Sequence, residues 1–557
     1  MSHHSGASQP RIIDTPQDFP VNWENPADAQ IPWQQQAIHF PDPVTPMDYH
    51  FVAHITNEGF AKCVEHYHLP MARHICNLNT YVYTSMQEML TPSLPEGGDG
   101  QKIQATMGML GELWQREWLP EIKEHLAYWE SFDWNRANWA ALRTHLDETE
   151  RRTIRLAEIH FRLALPMLLA LTSFEEMYQD LIEDASQLDA YTLLTDIENE
   201  SVGSTRELWK LSRKALADPW VRSVLETNSP EAVMDKLSGS VEGKAFLSSL
   251  NAYLQAYGHR TDKLYVSFPT WNEDPTAVIQ NLKIYMTQPD RDLVAEMDEI
   301  AARRERSVDE ARSRLAAYPK PIVDEFEFLL KAAQEANFLR EEHPHWLEFH
   351  HIYHARQVLL ACGRCLHEAR VLETQEDVFY LTFSELRETM ASALPESRQR
   401  LVRERRAKEA HFARISPPPK LGVPRQRGAS DHPMFRAFAK VFSPPPPPSQ
   451  NPTELLGLAG SSGIVRGTAK VLHSLDQVGE LEPGNILVTV MTMASWTPIF
   501  ANIAGLVTDA GGILSHPAVV AREYGIPAVV GSGKASKLIK DGQLIEVNGN
   551  TGVVRLL

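Results

Sequence analysis

Apolar residues recur every three or four positions through most of the chain, a spacing typical of one buried face of an α-helix. Met109 and Leu113 carry this pattern first, and Arg155–Ile182 repeats it. A charged segment of helical character, Glu396–His411, ends it. We therefore predict a large, mainly α-helical domain over residues 26–415.

The pattern changes near the C-terminus to short apolar runs separated by turn residues. Residues 462–471 alternate as a strand does, and the apolar run Ile503–Val507 leads to a Gly-Gly pair that permits positive φ. Ser515 suits the N-cap of a short helix, after which Ala528–Val530 is typical of a buried strand. These elements predict a compact α/β (β/β/α) domain over residues 454–557.

Between the two domains the composition favours an extended segment. Prolines occupy positions 417–419 and 444–448, with a basic run at 420–427 between them. Proline-rich chain extends by about 3.1 Å per residue. Residues 416–453 are therefore predicted to form a stiff, solvated tether. The polar N-terminal residues 1–25 are predicted to be disordered.

Composition narrows the class of protein. The 557 residues carry 54 Lys and Arg against 72 Asp and Glu, a formal net charge of -18, without a long basic block. Nucleic-acid binding depends on neutralising phosphates, so this balance argues against such a partner. Four cysteines do not make a disulfide framework, and no apolar run reaches the roughly 20 residues that span a bilayer. We expect a cytoplasmic protein without a membrane partner.

His516 is the strongest candidate for chemistry. It follows the Gly-Gly turn and Ser515, so the predicted helix places its imidazole at a helix N-terminus, where the dipole favours an anion. A protonated ring is disfavoured there, and the neutral, nucleophilic form is favoured. A histidine that becomes phosphohistidine needs such surroundings. The alternative is a histidine that only caps its own helix.

The signature around His516 resembles that of the swivelling phosphohistidine domain of PEP-utilising enzymes. This resemblance is carried by Thr508-Asp509-Ala510-Gly511-Gly512, Ser515-His516, Ala521-Arg522-Glu523 and Gly525-Ile526-Pro527-Ala528. The family includes PEP synthase, pyruvate phosphate dikinase, rifampicin phosphotransferase and phenylphosphate synthase. The resemblance implies that His516 carries the phosphoryl group, supported by Thr508, Gly511, Gly512, Ser515 and Arg522. The family's Thr-Asp-Pro-x-Trp-Thr-Pro run lacks its Asp and its first Pro here, where it reads Thr492-Met493-Ala494-Ser495-Trp496-Thr497-Pro498.

In the predicted helical domain, Gly258 precedes His259 and Arg260. The histidine can take a proton while the guanidinium holds phosphoryl oxygens. The alternative is a helix end with a solvated arginine. Together with the later segment Phe268–Pro275, this stretch resembles the Gly-x-Arg and Pro-x-Trp-x-Glu-Asp-Pro elements of the family's substrate domains. We predict His259 as the general base and Arg260 as a second catalytic residue.

A further stretch, Phe338–Trp346, resembles the family's Arg-Glu segment, which implies that Arg340 stabilises phosphoryl charge. Histidines stand where the rifampicin enzymes have a lysine. Aromatic side chains in both stretches suit an apolar acceptor pocket, although each also suits a core. The predicted substrate-binding residues are Trp33, Tyr257, His343, His345 and Trp346.

The same region is rich in histidine, which raises the question of a metal ion. His350 and His354 have the i, i+4 spacing that zinc accepts on a helix. The glutamate of a His-Glu-x-x-His zinc site is missing between them. We therefore predict no metal ion in this chain.

The sequence holds neither a Gly-x-x-x-x-Gly-Lys-Ser/Thr run nor a stretch resembling an ATP-grasp domain. With the resemblance, this implies one subunit of a two-component dikinase-type phosphotransferase, similar to phenylphosphate synthase and to the dikinases of 4-hydroxyacetophenone and acetovanillone. A separate ATP-grasp subunit would bind ATP and Mg²⁺ and load His516 with the β-phosphoryl group. A small phenol would accept that group, with release of AMP and phosphate. The alternatives are a component of a rifampicin-type antibiotic phosphotransferase and a non-catalytic phosphocarrier or docking protein.

Overall fold

The structure is a computed structural model that describes residues 12–88, 100–134, 137–195, 198–424, 432–443 and 445–557. Helices dominate these residues up to position 442, and a sheet lies at the C-terminus. The predicted fold class is confirmed to that extent. Among the described helices, none has both the length and the apolar character needed to cross a bilayer.

The helices fall into two successive groups. The first comprises α1 Pro46–Asp48, α2 Ile55–Tyr67, α3 Gln101–Met107, α4 Leu110–Leu113, α5 Leu119–Glu130, α6 Trp139–Leu181 and α7 Gln187–Thr192. The second comprises α8 Glu200–Ala217, α9 Pro219–Thr227, α10 Pro230–Leu237, α11 Val241–Tyr257, α12 Thr276–Met286, α13 Leu293–Leu315, α14 Lys320–Pro344, α15 His350–Glu368, α16 Phe383–Ala391, α17 Gln399–Phe412 and α18 Pro433–Val441. Turns of π-helix occupy Tyr49–His54, Trp114–Trp118 and His345–Phe349.

The longest helix, α6, is the axis of the helical region. Asn138 caps it by accepting from the N–H of Ala141, and the helix continues for 43 residues through Pro166. Helices α2, α14 and α15 pack against it. Its buried apolar positions include Leu156, Ile159, Leu163 and Leu165. This packing brings the middle of α6 to the C-terminal end of α14.

A small sheet that the pattern did not predict lies beside the helices. Its strands are β1 Pro32–Gln35, β2 Met71–Leu78, β3 Tyr81–Glu88 and β4 Lys420–Gly422, in the order β2-β3-β1-β4. Phe19 is fully buried against this sheet, next to Tyr81 and Tyr83. Residues 12–25 are therefore ordered here, contrary to the predicted disordered N-terminus; residues 1–11 of that prediction lie outside the described range.

The C-terminal domain contains an eight-stranded sheet. Its strands are β5 Glu454–Leu456, β6 Leu458–Ser461, β7 Ile464–Val471, β8 Ile486–Thr489, β9 Gly505–Thr508, β10 Ala528–Val530, β11 Leu544–Asn548 and β12 Val553–Leu556, and its helices are α19 Thr497–Phe500, α20 His516–Glu523 and α21 Ala535–Leu538. The order is β5-β12-β11-β7-β8-β9-β10-β6. The four strands β7 to β10 run parallel, and α20 connects β9 to β10.

The tether is more structured than its composition suggests. Strand β4 pairs with β1, and α18 buries Met434, Phe435 and Ala437. Lys440 of α18 makes an ion pair of 2.8 Å with Glu175 of α6. The prediction of a solvated tether is therefore wrong for these two elements, because α18 is amphipathic; residues 425–431 and 444 lie outside the described range.

The two domains share an apolar core. Trp209 of α8 and Tyr285 of α12 belong to the same buried cluster as Leu487, Phe500 and Leu506 of the C-terminal domain. The opposite face of the C-terminal sheet has its own core, which includes Ile486, Val488 and Val507. The C-terminal domain is thus packed directly against helices, with one face of its sheet directed toward them.

Candidate active site

The loop before His516 turns at two glycines. Strand β9 ends at Thr508, and the chain turns at Gly511, whose φ is +104°. A Cβ at Gly512 would lie 2.1 Å from the carbonyl oxygen of Lys440, so no side chain fits there. Helix α20 then begins at His516, confirming the predicted position of the imidazole. This is the carboxyl end of a parallel strand, where open α/β sheets bind ligands.

His516 faces the helical domain. Its Nδ1 lies 3.1 Å from Oε2 and 3.3 Å from Oε1 of Glu341 on α14. Because a carboxylate only accepts, Nδ1 of the neutral ring carries the proton and the lone pair remains on Nε2. That Nε2 is shielded from solvent and has no hydrogen-bond partner among the described residues. A neutral imidazole with an uncommitted nitrogen is the form that attacks phosphorus.

Two charged residues of α14, Glu341 and Arg340, are buried at or next to this contact in the chain. Glu341 exposes 2% of its side chain. Burial acts to raise its pKa, but His516, Arg340 and Ser201 together bring that pKa below its ordinary value, so the carboxylate is ionised. Nη1 of Arg340 is shielded and lacks a partner among the described residues. A buried guanidinium donor without a partner is available to an anion.

The contacts of Arg260 and Asp262 hold the C-terminal domain in place. Nη1 of the buried Arg260 donates to the carbonyl of Ala494 at 2.8 Å. Asp262 accepts from Nε1 of Trp496 at 2.9 Å and from the N–H of Leu475 at 3.0 Å. Both side chains therefore bind residues of the C-terminal domain, two of which lie in the loop 492–498. This docking is what brings His516 to Glu341.

Comparison with known proteins assigns both parts of this site to one group. Residues 481–552 match the family described as PEP-utilising enzyme, mobile domain. Residues 160–341 match the rifampicin phosphotransferase fourth domain. Residues 481–552 thus belong to the mobile-domain family of PEP-utilising enzymes. His516 lies in the first matched range and Glu341 in the second, so their contact joins the two family domains.

Relatives of this chain differ widely in length. Chondramide synthase cmdD of Chondromyces crocatus is 40% identical over 562 residues, which cover 98% of this chain and 14% of that protein. The uncharacterized phosphotransferase YvkC of Bacillus subtilis (strain 168) is 28% identical over 72% of this chain and 47% of its own length. A rifampicin phosphotransferase of Streptomyces sviceus is 32% identical over 61% of this chain and 38% of its own. The chain spans less than half of each relative.

Arg260 has different contacts from those predicted. Its Nη2 donates to the carbonyl of Glu200 at 2.8 Å, so both terminal nitrogens are bonded to carbonyls. The guanidinium also lies over the rings of Tyr257 and Trp271. It is 1% exposed. These contacts favour a role in docking over a direct contact with a phosphoryl group.

His259, predicted as the general base, is directed elsewhere. Its ring stacks on that of His350 with 3.9 Å between centroids and meets Tyr353 edge-on at 4.7 Å. Burial lowers the pKa of His259 to about 4, which makes it a weak base at neutral pH. The hydrogen-bond partner of His516 is Glu341 instead. The structure does not bring His259 to the phosphohistidine position.

The predicted substrate-binding residues fall into two places. Trp33 lies in β1 and stacks on Trp23 with 6.0 Å between centroids, within the separate apolar cluster of the N-terminal sheet. This is a core position, as the alternative interpretation of the aromatics allowed. The other four surround the end of α14 and the π-helical turn that follows it: Tyr257, His343, His345 and Trp346.

The support residues of the family signature mainly shape the loop. Thr508 and Ser515 donate from their hydroxyls to loop carbonyls at 2.8 and 2.6 Å. Ser515 occupies the N-cap position of α20, but its side chain does not cap the helix. Arg522 donates to two carbonyls of its own domain, and its guanidinium lies 4.5 Å from the centroid of the Tyr191 ring. Arg522 therefore links the phosphohistidine loop to the helical domain.

Sequence reasoning missed Glu341, although it stands beside Arg340 in the stretch that resembles the family. Glu341 lies between the buried Leu339 and His343, and a buried carboxylate is costly unless it has a charged or hydrogen-bonding partner. This cost indicates that Glu341 has such a partner. What the sequence could not supply was the identity of that partner, which lies 175 positions away.

Because Asp262 has a raised pKa, we expect the strength of domain docking to depend on pH. Burial raises the pKa of Asp262 to about 6. The hydrogen bonds from Leu475 and Trp496 and the charge of Lys263 lower this pKa, and the charge of Asp476 raises it, but burial has the largest effect. An ionised Asp262 is thus disfavoured when docked, so docking takes up a proton and weakens as the pH rises from about 4 to about 6, then stays constant. The change amounts to at most about 3 kcal/mol, since one pKa unit corresponds to about 1.4 kcal/mol.

This dependence can be followed as the urea midpoint of domain separation, measured by small-angle X-ray scattering between pH 4 and pH 8. Asp262→Asn should remove the fall between pH 4 and pH 6. Asp476→Asn, which changes a neighbouring carboxylate, should keep it. A docking midpoint that rises with pH through this window would contradict the assignment.

Proposed function

We propose that this chain carries a phosphoryl group on His516 and delivers it to the hydroxyl of a small phenol bound by the helical domain. It would act as one component of a dikinase-type phosphotransferase. A separate ATP-grasp subunit would bind ATP and Mg²⁺ and load the histidine with the β-phosphoryl group. AMP and phosphate are the other products.

The observation that supports this proposal is the 3.1 Å contact between Nδ1 of His516 and Glu341 of the helical domain. It fixes the proton on Nδ1 and leaves Nε2 to form the bond to phosphorus. Under this proposal, the contact is the position in which delivery would occur. Arg340, whose Nη1 has no partner among the described residues, is the residue next to Glu341 in the chain. A carboxylate that orients an imidazole and an arginine that binds the transferred group are what phosphoryl transfer requires.

The proposed reaction has two half-reactions. In loading, Nε2 of His516 attacks the β-phosphorus, the N–P bond forms, and the bond from that phosphorus to the oxygen of AMP breaks. Water hydrolyses the bond between the β- and γ-phosphates, so phosphate leaves as well and only the β-phosphoryl group stays on the histidine. In delivery, the acceptor oxygen bonds to phosphorus, the P–N bond breaks, and its electron pair returns to Nε2. The hydroxyl proton passes to a base or to water. A phenol has a pKa near 10 and therefore loses this proton more readily than an alcohol.

A rifampicin-type acceptor is the second candidate, and the relatives named rifampicin phosphotransferase favour it. The similarity to a chondramide synthase over 98% of this chain weighs the other way, because that protein is named for a different product. The acceptor class therefore has to be decided by direct competition between compounds.

The proposal is tested by mixing the purified chain with an ATP-grasp protein, Mg²⁺ and ATP labelled at the β-phosphate. We expect an acid-labile, base-stable label on the chain. Adding 4-hydroxyacetophenone or a related phenol should discharge that label and release AMP in proportion to the phosphorylated phenol. Rifampicin serves as the competing acceptor in a parallel reaction.

The outcomes separate the candidate functions. Discharge by rifampicin alone would replace the phenol with an antibiotic acceptor. A stable label that neither class of compound removes would favour a phosphocarrier. Absence of label with an ATP-grasp protein that phosphorylates its own natural carrier would refute the proposal as a whole.

A further inference from the structure

A second group of ionisable side chains lies close to the site. His160 of α6, His343 of α14 and Glu348 of the π-helical turn each offer one ligand atom, and these atoms lie within 4.8 Å of one another. His160 Nδ1 is 3.7 Å from Glu348 Oε1, and the rings of the two histidines are 5.0 Å apart. It is the one such convergent group of three among the residues that the structure describes.

The orientation of His343 prepares one nitrogen for a ligand. Its Nδ1 lies 2.7 Å from the carbonyl of Leu339. A carbonyl only accepts, so Nδ1 carries the proton and Nε2 presents a lone pair. A backbone carbonyl that fixes the tautomer in this way is the usual support of a metal-binding histidine.

Two members of the group are partly accessible. His160 and Glu348 retain 24% and 23% of their side-chain surface, whereas His343 is buried. His351 of α15, which is buried, and His39, which is partly exposed, lie close enough to act electrostatically on His160. The group can therefore be reached from solvent at His160 and Glu348.

The donor set selects a class of ion. Two imidazole nitrogens and one carboxylate suit Zn²⁺ and other divalent transition metals, whereas Mg²⁺ prefers oxygen ligands alone. Three protein ligands also leave open coordination positions for a further oxygen. Arg73 is close enough to act electrostatically on His160, and a neighbouring positive charge weakens the binding of a metal ion. We therefore expect lower affinity than that of a four-ligand structural zinc site.

The group is close to the phosphohistidine. Glu341 is bonded to His516, and its charge acts on Glu348. Glu341 and His343 are two positions apart on α14, so their side chains project from different faces of that helix. The group and the Glu341–His516 contact are therefore neighbouring features of one helix and not a single site.

We propose that His160, His343 and Glu348 bind one divalent transition-metal ion. This binding is independent of the proposed function. This replaces the prediction that the chain holds no metal, and it places the site on residues other than His350 and His354, whose rings are 6.3 Å apart.

The test uses the full chain, freed of metal with a chelator and then titrated with Zn²⁺, Co²⁺ or Mg²⁺ by calorimetry. We expect one Zn²⁺ per chain, no comparable binding of Mg²⁺, and a Co²⁺ absorption spectrum typical of nitrogen and oxygen ligands. His160→Gln and Glu348→Gln should each weaken Zn²⁺ binding by at least about 10-fold, the lower end of losses caused even by supporting residues. Circular dichroism of the metal-free variants confirms that they fold.

A double variant, His350→Gln with His354→Gln, is the matched control, since it removes two buried histidines of the same region and should leave binding unchanged. Loss of binding in this control, or wild-type stoichiometry with equal affinity in both triad variants, would overturn the assignment. No saturable Zn²⁺ binding by the wild type would do so as well. Because these measurements contain neither ATP nor acceptor, their failure is separate from any failure of phosphoryl transfer.

Discussion

Replacing His516 with alanine is expected to abolish the β-phosphoryl label on this chain and, with it, all turnover of the acceptor. The reason is that the covalent intermediate needs the uncommitted Nε2 of this ring, which no hydrogen bond among the described residues occupies. In the loop after β9, His516 is the side chain that contacts Glu341. The label that remains on the chain after loading is measured by electrophoresis at alkaline pH, where phosphohistidine is stable.

His473→Ala is the matched control for this experiment. His473 is an exposed histidine of the same domain and lies outside the phosphohistidine loop. The control should label to the wild-type level. A His516→Ala chain that still accepts the β-phosphoryl group would show that the carrier residue is elsewhere.

Glu341→Gln is expected to separate the two half-reactions. Glu341 belongs to the helical domain and meets His516 only across the domain interface, so loading at the ATP-grasp subunit should proceed at nearly the wild-type rate. Delivery should slow on the order of 100-fold, the range found for groups that control a proton in the transition state. The amide can still accept from Nδ1 but no longer stabilises positive charge on the ring. Single-turnover discharge of the labelled chain measures this step.

The substitution Glu342→Gln at the neighbouring position is the control, because it also replaces a carboxylate of α14 with an amide. Glu342 accepts from Nε1 of Trp346 at 3.1 Å and does not contact His516. Its delivery rate should stay within a few-fold of the wild type. Equal slowing of loading and delivery in Glu341→Gln would argue that the residue maintains the fold rather than the reaction.

The part of the site that could be predicted from sequence is the part built by local interactions. A strand, two glycines and a proline fix the loop and the start of α20 within about ten residues, so the position of His516 followed from local turn and helix-start preferences. The structure confirms that the helix begins at His516. Nothing beyond short-range preferences was needed for this step.

The partners of His516 could not be predicted in the same way, because they depend on how the domains pack. His259 and Arg260 are adjacent in sequence, yet one stacks on α15 and the other enters the domain interface. Consecutive residues at a helix end point in different directions, and sequence proximity therefore gave no guide to shared function. The burial of α18 was missed for a related reason, since the flanking prolines suggested an extended chain while the helix itself carries a short apolar face.

The apolar cluster shared by the two domains has a thermodynamic consequence. Any departure of the C-terminal domain from the helices must expose Trp209, Phe500 and their neighbours to water, and such exposure carries a positive heat-capacity change. The attraction between the domains therefore weakens on cooling and strengthens in salts that are excluded from protein surfaces, such as sulfate. Shuttling of the carrier histidine would accordingly be a step whose enthalpy varies with temperature, and its rate would follow a curved rather than a straight Arrhenius plot.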